Sequence, residues 1–202
     1  MLFNLSGALT LNDVTFANNK LAMLQSLTVR SYNVNSSFTN NSLQNLRELS
    51  VELYKTESFQ NNSLNNLVKL TLIENIAYGN ITTLISNTMP ALEVLSARSN
   101  KLSNMTEILT SYPRLRQLDL FDGVIGSVKD NSHDRIVTLN LERAEIRDAF
   151  SNNRFPSLET LNLNINPSLT SFTGNYLPKL KWLEIESSGV TRFTDGDQFG
   201  SL

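Results

Sequence analysis

The stretch Leu115-Arg116-Gln117-Leu118-Asp119-Leu120-Phe121-Asp122-Gly123-Val124-Ile125 decides the fold. Leu118 and Leu120 stand two apart and point to one face of an extended strand, while Gln117, Asp119 and Phe121 point to the other. The apolar spacing read from Leu115, with steps of three, two and five residues, is not confined to this stretch. It recurs at Leu24, Leu27, Val29, Val34; at Leu46, Leu49, Val51, Thr56; at Leu67, Leu70, Leu72, Ala77; and at Leu92, Leu95, Ala97, Leu102. After Leu115 come Ile136, Leu139, Leu141, Ile146, then Leu158, Leu161, Leu163, Ser168, and finally Leu180, Leu183, Ile185, Val190. Successive copies start 22, 21, 25, 23, 21, 22 and 22 residues apart, too regular a series for accident. Short strands recurring at that interval and running the same way stack at about 4.8 Å per step, and each coil covers the apolar side of its neighbour.

The other half of each copy also recurs, as a Phe followed after several polar residues by a second apolar residue. Ser37-Phe38-Thr39-Asn40-Asn41-Ser42-Leu43, Ser58-Phe59-Gln60-Asn61-Asn62-Ser63-Leu64 and Ser171-Phe172-Thr173-Gly174-Asn175-Tyr176-Leu177 carry it, and Phe150 with Phe155 and Phe193 with Phe199 fit the same slots. These segments are too short and too Asn-rich for good helices, so extended turns and 3₁₀ pieces are expected there. Met105 to Tyr112 is the best candidate for a helical turn or two, and Ile81 to Asn87 the next. The expectation is an α/β repeat solenoid of eight to nine repeats of 21–25 residues. Residues 1–202 form one array, with 1–23 an irregular first repeat or cap (Leu9, Leu11, Val14 and Phe16 give one short copy) and 24–202 the eight repeats. Leu202 falls where a ninth copy would start, which reads as an array cut from something longer.

Composition narrows the function classes. The chain has 202 residues, 40% of them apolar and 18% charged, a net charge of −2, one His and no Cys. A near-neutral balance argues against nucleic acid as a partner. Without Cys there is no disulfide framework and no thiolate chemistry, and one His rules out a His-pair zinc site. No run approaches the roughly 20 apolar residues of a membrane span, and no signal peptide is visible at Met1-Leu2-Phe3-Asn4-Leu5-Ser6. No cofactor is expected. Ser132-His133-Asp134 contains the letters of a catalytic triad, but neighbours in sequence cannot converge as that relay requires, so His133 reads as a loop residue. Asp195-Gly196-Asp197 reads as a turn, and no phosphate loop or dinucleotide fingerprint is present. The chain is expected not to be an enzyme.

The repeats resemble those of leucine-rich repeat proteins, whose pattern is L-x-x-L-x-L-x-x-N-x-L. The Asn-rich, Phe-punctuated copies are similar to those of protist and oomycete surface proteins. The resemblance implies a leucine-rich-repeat horseshoe with its parallel β-sheet on the concave face, mostly irregular or 3₁₀ convex segments, and a binding surface on the concave side. The family's turn asparagine is matched at Asn75, Asn100 and Asn166, while Tyr32, Tyr54, Gly123, Ala144 and Ser188 take that place elsewhere, so irregular turns are expected.

If the strands lie as assigned, residues between the leucines form columns on that face. The richest part carries Asp119, Asp122, Glu142, Glu184 and Glu186, with Arg143 among them and the aromatics Phe121 and Trp182. Arg98 belongs to the same columns. Exposed aromatics beside charges favour protein or glycan binding, with Trp182 the strongest single candidate. Six N-x-S/T sequons, at Asn4, Asn35, Asn40, Asn61, Asn80 and Asn104, are candidate glycosylation sites. From Asn35 onward they fall after the strands, which favours an extracellular or cell-surface location over the cytoplasmic alternative. The expected role is a non-catalytic recognition module. The alternatives are a self-associating structural component joined through uncapped repeat ends, and an intracellular scaffold.

Overall fold

A computed structural model describes residues 7–12, 15–31, 36–53, 56–74, 84–101, 105–193 and 196–200. The chain divides into two compact units, Met1–Lys101 and Leu102–Leu202. Each is a parallel-strand repeat solenoid.

In the first unit the strands are β1 (Gly7–Asn12), β2 (Phe16–Ala17), β3 (Leu24–Ser31), β4 (Ser36–Thr39), β5 (Glu48–Leu53), β6 (Thr56–Gln60), β7 (Lys69–Glu74) and β8 (Val94–Arg98). Strands β1-β3-β5-β7-β8 pair in parallel with Leu27, Leu49, Leu70 and Leu95 side by side, the register the apolar spacing predicts. Leu9 and Leu11 of β1 pair with Leu27 and Val29, so the short first copy joins the ladder. Strands β2-β4-β6 form a second parallel ladder on the return path.

The second unit starts with helix α1 (Met105–Ser111), followed by β9 (Gln117–Asp119), β10 (Gly126–Lys129), β11 (Thr138–Asn140), β12 (Ile146–Ser151), β13 (Thr160–Asn162), β14 (Leu169–Thr173), β15 (Tyr176–Leu177), β16 (Trp182–Glu184), β17 (Arg192–Phe193) and β18 (Gln198–Phe199). Strands β9-β11-β13-β16 carry Leu118, Leu139, Leu161 and Leu183 in one row. The return ladder is β10-β12-β14-β17, and β15 pairs with β18. Leu118, Leu120, Ile136, Leu139, Leu141, Leu158, Leu161 and Leu163 are all fully buried, each contributing about 1.5–3 kcal/mol. The last apolar slot of the seventh copy is filled by buried Leu169, not by the exposed Ser168 that the spacing pointed to.

Two expectations need correction. Helix is scarce: α1 and the 3₁₀ turn Leu84–Ser86 are the helical pieces among the described residues, both where the sequence favoured them. The architecture is therefore a β-solenoid, not an α/β one. The return segments, expected to be irregular, are short strands tied from coil to coil. Phe16, Phe38 and Phe59 stack at centroid separations of 5.2 and 5.3 Å, and Phe150, Phe172 and Phe193 at 5.2 and 5.1 Å. Such pairs add about 0.5–1.5 kcal/mol beyond burial.

Beside each stack runs an asparagine ladder. Asn41 Oδ1 accepts from the backbone N–H and the amide of Asn19, both at 3.0 Å, and Asn62 Oδ1 accepts the same pair from Asn41. Asn41 Nδ2 also donates to the Phe16 carbonyl at 3.0 Å. In the second unit Asn131, Asn153, Asn175 and Asp197 repeat the arrangement, and the Thr106 hydroxyl donates to Asn131 Oδ1 at 2.8 Å. Each interior amide satisfies two donors and two acceptors, which is why Asn41, Asn62, Asn153 and Asn175 can be buried.

The residue just before most rungs turns the chain through the left-handed region: Asn18, Asn40, Asn61, Asp130, Asn152, Gly174 and Gly196 have φ between 54° and 77°, whereas the Asn87 rung follows the 3₁₀ turn Leu84–Ser86. At Gly174 a Cβ would also come within 2.5 Å of Asn152 Oδ1. Asn is the residue type that both tolerates that conformation and serves as a rung, so the Asn-Asn pairs follow from the corner's geometry.

Candidate functional site

Alternation along β9, β11, β13 and β16 sends one set of side chains to the core and the other outward. The outward set forms two rows: Gln117, Thr138, Thr160, Trp182, and Asp119, Asn140, Asn162, Glu184. Strand register therefore brings together in the second unit most of the residues expected to bind. Arg98 lies in the first unit, exposed at the end of β8 and paired with Ile73.

The second row is knitted together. Asn140 Nδ2 donates to Asp119 Oδ1 at 3.0 Å, Asn162 Nδ2 to Glu142 Oε2 at 3.1 Å, and Asn164 Nδ2 to Glu184 Oε2 at 3.0 Å. Asp119, Asn140 and Asn162 each also accept the backbone N–H two residues on, from Phe121, Glu142 and Asn164. Those contacts are Asx turns, which end the strand and start the bend. Asp119, Glu142 and Glu184 thus serve as acceptors within the wall as well as facing outward. The next column is the bend itself: Asp122, Arg143, Ile165 and Ser187 all have φ of 54–57°. Arg143 Nε donates to Asp122 Oδ1 at 2.8 Å in an exposed ion pair that solvent and salt weaken.

Trp182 differs from its row. It is 64% exposed, on a strand hydrogen-bonded on one side to β13, with Glu184 half-buried two residues on. Glu184 and Glu186 line a shallow groove with Asn164, Leu183 and Ile185. Phe121 is half-buried, so Trp182 is the more accessible of the two aromatics. Ile165, absent from the expected site, is 44% exposed and adopts a φ of 56° that β-branched residues avoid. The apolar spacing marks residues facing the core and says nothing about a left-handed bend, so no signal in the sequence singled it out.

The turn asparagines divide. Asn166 is buried and donates to the carbonyls of Leu141, Leu163 and Asn164, while its Oδ1 accepts the Ile146 N–H at 3.1 Å. Its side chain reaches the preceding coil, where fully buried Ala144 leaves it room, so one Asn serves two coils. Asn100 donates to Leu72 and Arg98 carbonyls. Asn75 lies outside the described residues, as do the sequon residues Asn4, Asn35, Asn80 and Asn104. Asn40 and Asn61 are exposed, each one residue before a buried rung.

His133 lies in a loop, as expected, and its ring is buried. Burial holds its pKa below the ordinary histidine value, outweighing the hydrogen bond to the Tyr112 carbonyl and the charge of Asp134, which both favour the proton, while Arg135 opposes it. The Lys181 ammonium, 2.8 Å from exposed Glu159, holds that carboxyl below the usual range. Among the described residues no group of three or more His, Cys, Asp or Glu side chains is placed to hold a metal ion, and no helix is long and apolar enough to cross a membrane. The wall offers hydrogen-bond donors and acceptors in fixed rows with an aromatic plane at their end. No family model, no curated protein and no solved structure matches the chain.

Proposed function

We propose that the protein is a non-catalytic recognition module of the leucine-rich-repeat kind, binding a protein or glycan through the outward face of the β9-β11-β13-β16 sheet as the concave wall of a horseshoe. The observation that carries this reading is Trp182, a large aromatic left 64% exposed beside the Asn164–Glu184–Glu186 groove. An indole plane next to amides and carboxylates suits a sugar face or a protein hot spot. An extracellular setting, with glycans at Asn40 and Asn61, belongs to the same reading. Trp182 is the chain's single Trp, so its emission reports on this surface alone. Glycan-array hits titrated against the purified chain should shift or quench Trp emission, and Trp182→Phe with Glu184→Ala should abolish capture without lowering the melting temperature. Binding that leaves the emission unchanged and survives both substitutions contradicts the assignment.

A second reading is self-association at the end of the second unit. Leu183, Ile185 and Val190 are half-exposed there, and Phe193 is 41% exposed, whereas Leu161 and Leu163 one coil earlier are fully buried. Light scattering separates the two: growth with concentration that Phe193→Glu prevents supports assembly, and a concentration-independent monomer supports recognition.

A further inference from the structure

His133 occupies a slot that the neighbouring coils fill with an apolar or aromatic side chain. Its N–H donates to the Arg154 carbonyl at 3.1 Å, as Phe155 N–H does to the Tyr176 carbonyl at 3.0 Å, so the two residues are equivalent in successive coils. Tyr112, Phe155 and Leu177 each close the following corner with their own carbonyl, accepting from Leu115, Leu158 and Leu180 at 3.0–3.2 Å. At His133 the side chain does this instead. Its Nδ1 accepts from the backbone N–H groups of both Arg135 and Ile136, each at 3.2 Å. The other ring nitrogen, Nε2, lies 3.2 Å from the Tyr112 carbonyl. A carbonyl can only accept, so Nε2 carries the proton and Nδ1 is bare: the ring is neutral with its tautomer fixed at both ends.

We propose that His133 is an acid-sensitive keystone of the second unit, which when neutral pins the corner leading into β11 and when protonated releases it. Protonation puts a hydrogen on Nδ1, facing two N–H groups that also have only hydrogens to offer. Two hydrogen bonds are lost together and a cation is left in an apolar column between Tyr112 and Phe155. The ionisable groups along its contacts are the buried Tyr112 phenol of the preceding coil, Asp134 and Arg135 on its own exposed corner, and Arg154 of the following coil, whose guanidinium lies over the Tyr176 ring. Of these Asp134 alone is anionic; it favours the proton, as does the Tyr112 carbonyl, and burial outweighs both. The corner runs straight into β11, which carries Asn140 and is followed by Glu142 and Arg143. Acid therefore loosens the middle of the outward wall. The inference concerns the fold and holds whether or not that wall binds a ligand.

The test is an NMR titration of the native chain from about pH 8 to about pH 5, following the single imidazole together with the amides of Arg135 and Ile136. The expected result is one shared midpoint below about 6.5, with both amides moving and the Nε2-protonated tautomer present above it. Alongside, the melting temperature of the native chain should fall as pH drops through about 6.5, because the unfolded chain takes up the proton first. His133→Met and His133→Phe should flatten that fall, starting from a lower value at neutral pH because both also lose the bonds to Nδ1. An imidazole that titrates while both amides stay still overturns the proposal. So does a folded His133→Met or His133→Phe variant whose melting temperature declines as steeply as that of the native chain.

Discussion

At Asn152 and Asn153 the same residue type does two unrelated jobs in consecutive positions. Asn153 is a buried rung, accepting from the backbone and amide of Asn131 and donating to the Val128 carbonyl, whereas Asn152 is exposed with a φ of 54°. Asn153→Ala strands two N–H groups and a carbonyl in the core at about 1–3 kcal/mol for each unsatisfied group, so a loss of about 3 kcal/mol or more is expected in urea unfolding. Asn152→Gly should cost little, because Gly174 and Gly196 hold the same left-handed slot in later coils. Comparable losses for both substitutions would contradict the ladder. Ile165 makes the opposite case: Ile165→Asn should raise stability by about 1 kcal/mol by relieving the left-handed strain, and unchanged or lowered stability would show the strain is absent.

At the scale of the element, the return strands depend on their rings. Phe172 is fully buried between Phe150 and Phe193, while Phe193, which also stacks on Phe199 at a longer 6.5 Å, is 41% exposed. Phe172→Ala should therefore cost about 3–5 kcal/mol and Phe193→Ala clearly less, measured by the same urea titration. Equal costs would mean that the stack does not support β12 and β14. The core-facing strands were legible because Leu118 and Leu120 encode their own alternation, and the period carries the register from coil to coil. The return strands were not, because Phe150-Ser151-Asn152-Asn153 shows no alternation to read: its order comes from bonds to residues about one repeat away. A trace of it was there, since an Asn follows each of Phe16, Phe38, Phe59, Phe150 and Phe172 by three residues. His133 lies in a loop as its sequence suggested, but its burial was hidden for a similar reason. Its polar flanks suggest a loop, and only the column shared with Tyr112 and Phe155 puts the ring inside.

At the scale of the whole molecule, each unit is a stack in which a coil touches mainly its neighbours, so protection should follow position. Amide exchange in the second unit should be slowest in β11 to β14 and fastest in β16 to β18, where β16 and β17 each pair on one side only among the described residues. Uniform protection would contradict nearest-neighbour stacking. The candidate site was legible as columns, because outward residues follow once the strands are in register. Which of its members also build the wall was not, since the Asx turns at Asp119, Asn140 and Asn162 depend on side-chain geometry that spacing does not encode. The central claim is that successive strands lie side by side with their leucines in register. Selective methyl labelling with nuclear Overhauser measurement tests it most directly. The account predicts cross-peaks linking Leu118 to Leu139 and Leu139 to Leu161, and none between Leu118 and Leu161, about two strand spacings apart. Missing neighbour cross-peaks, or a direct link between Leu118 and Leu161, would contradict it.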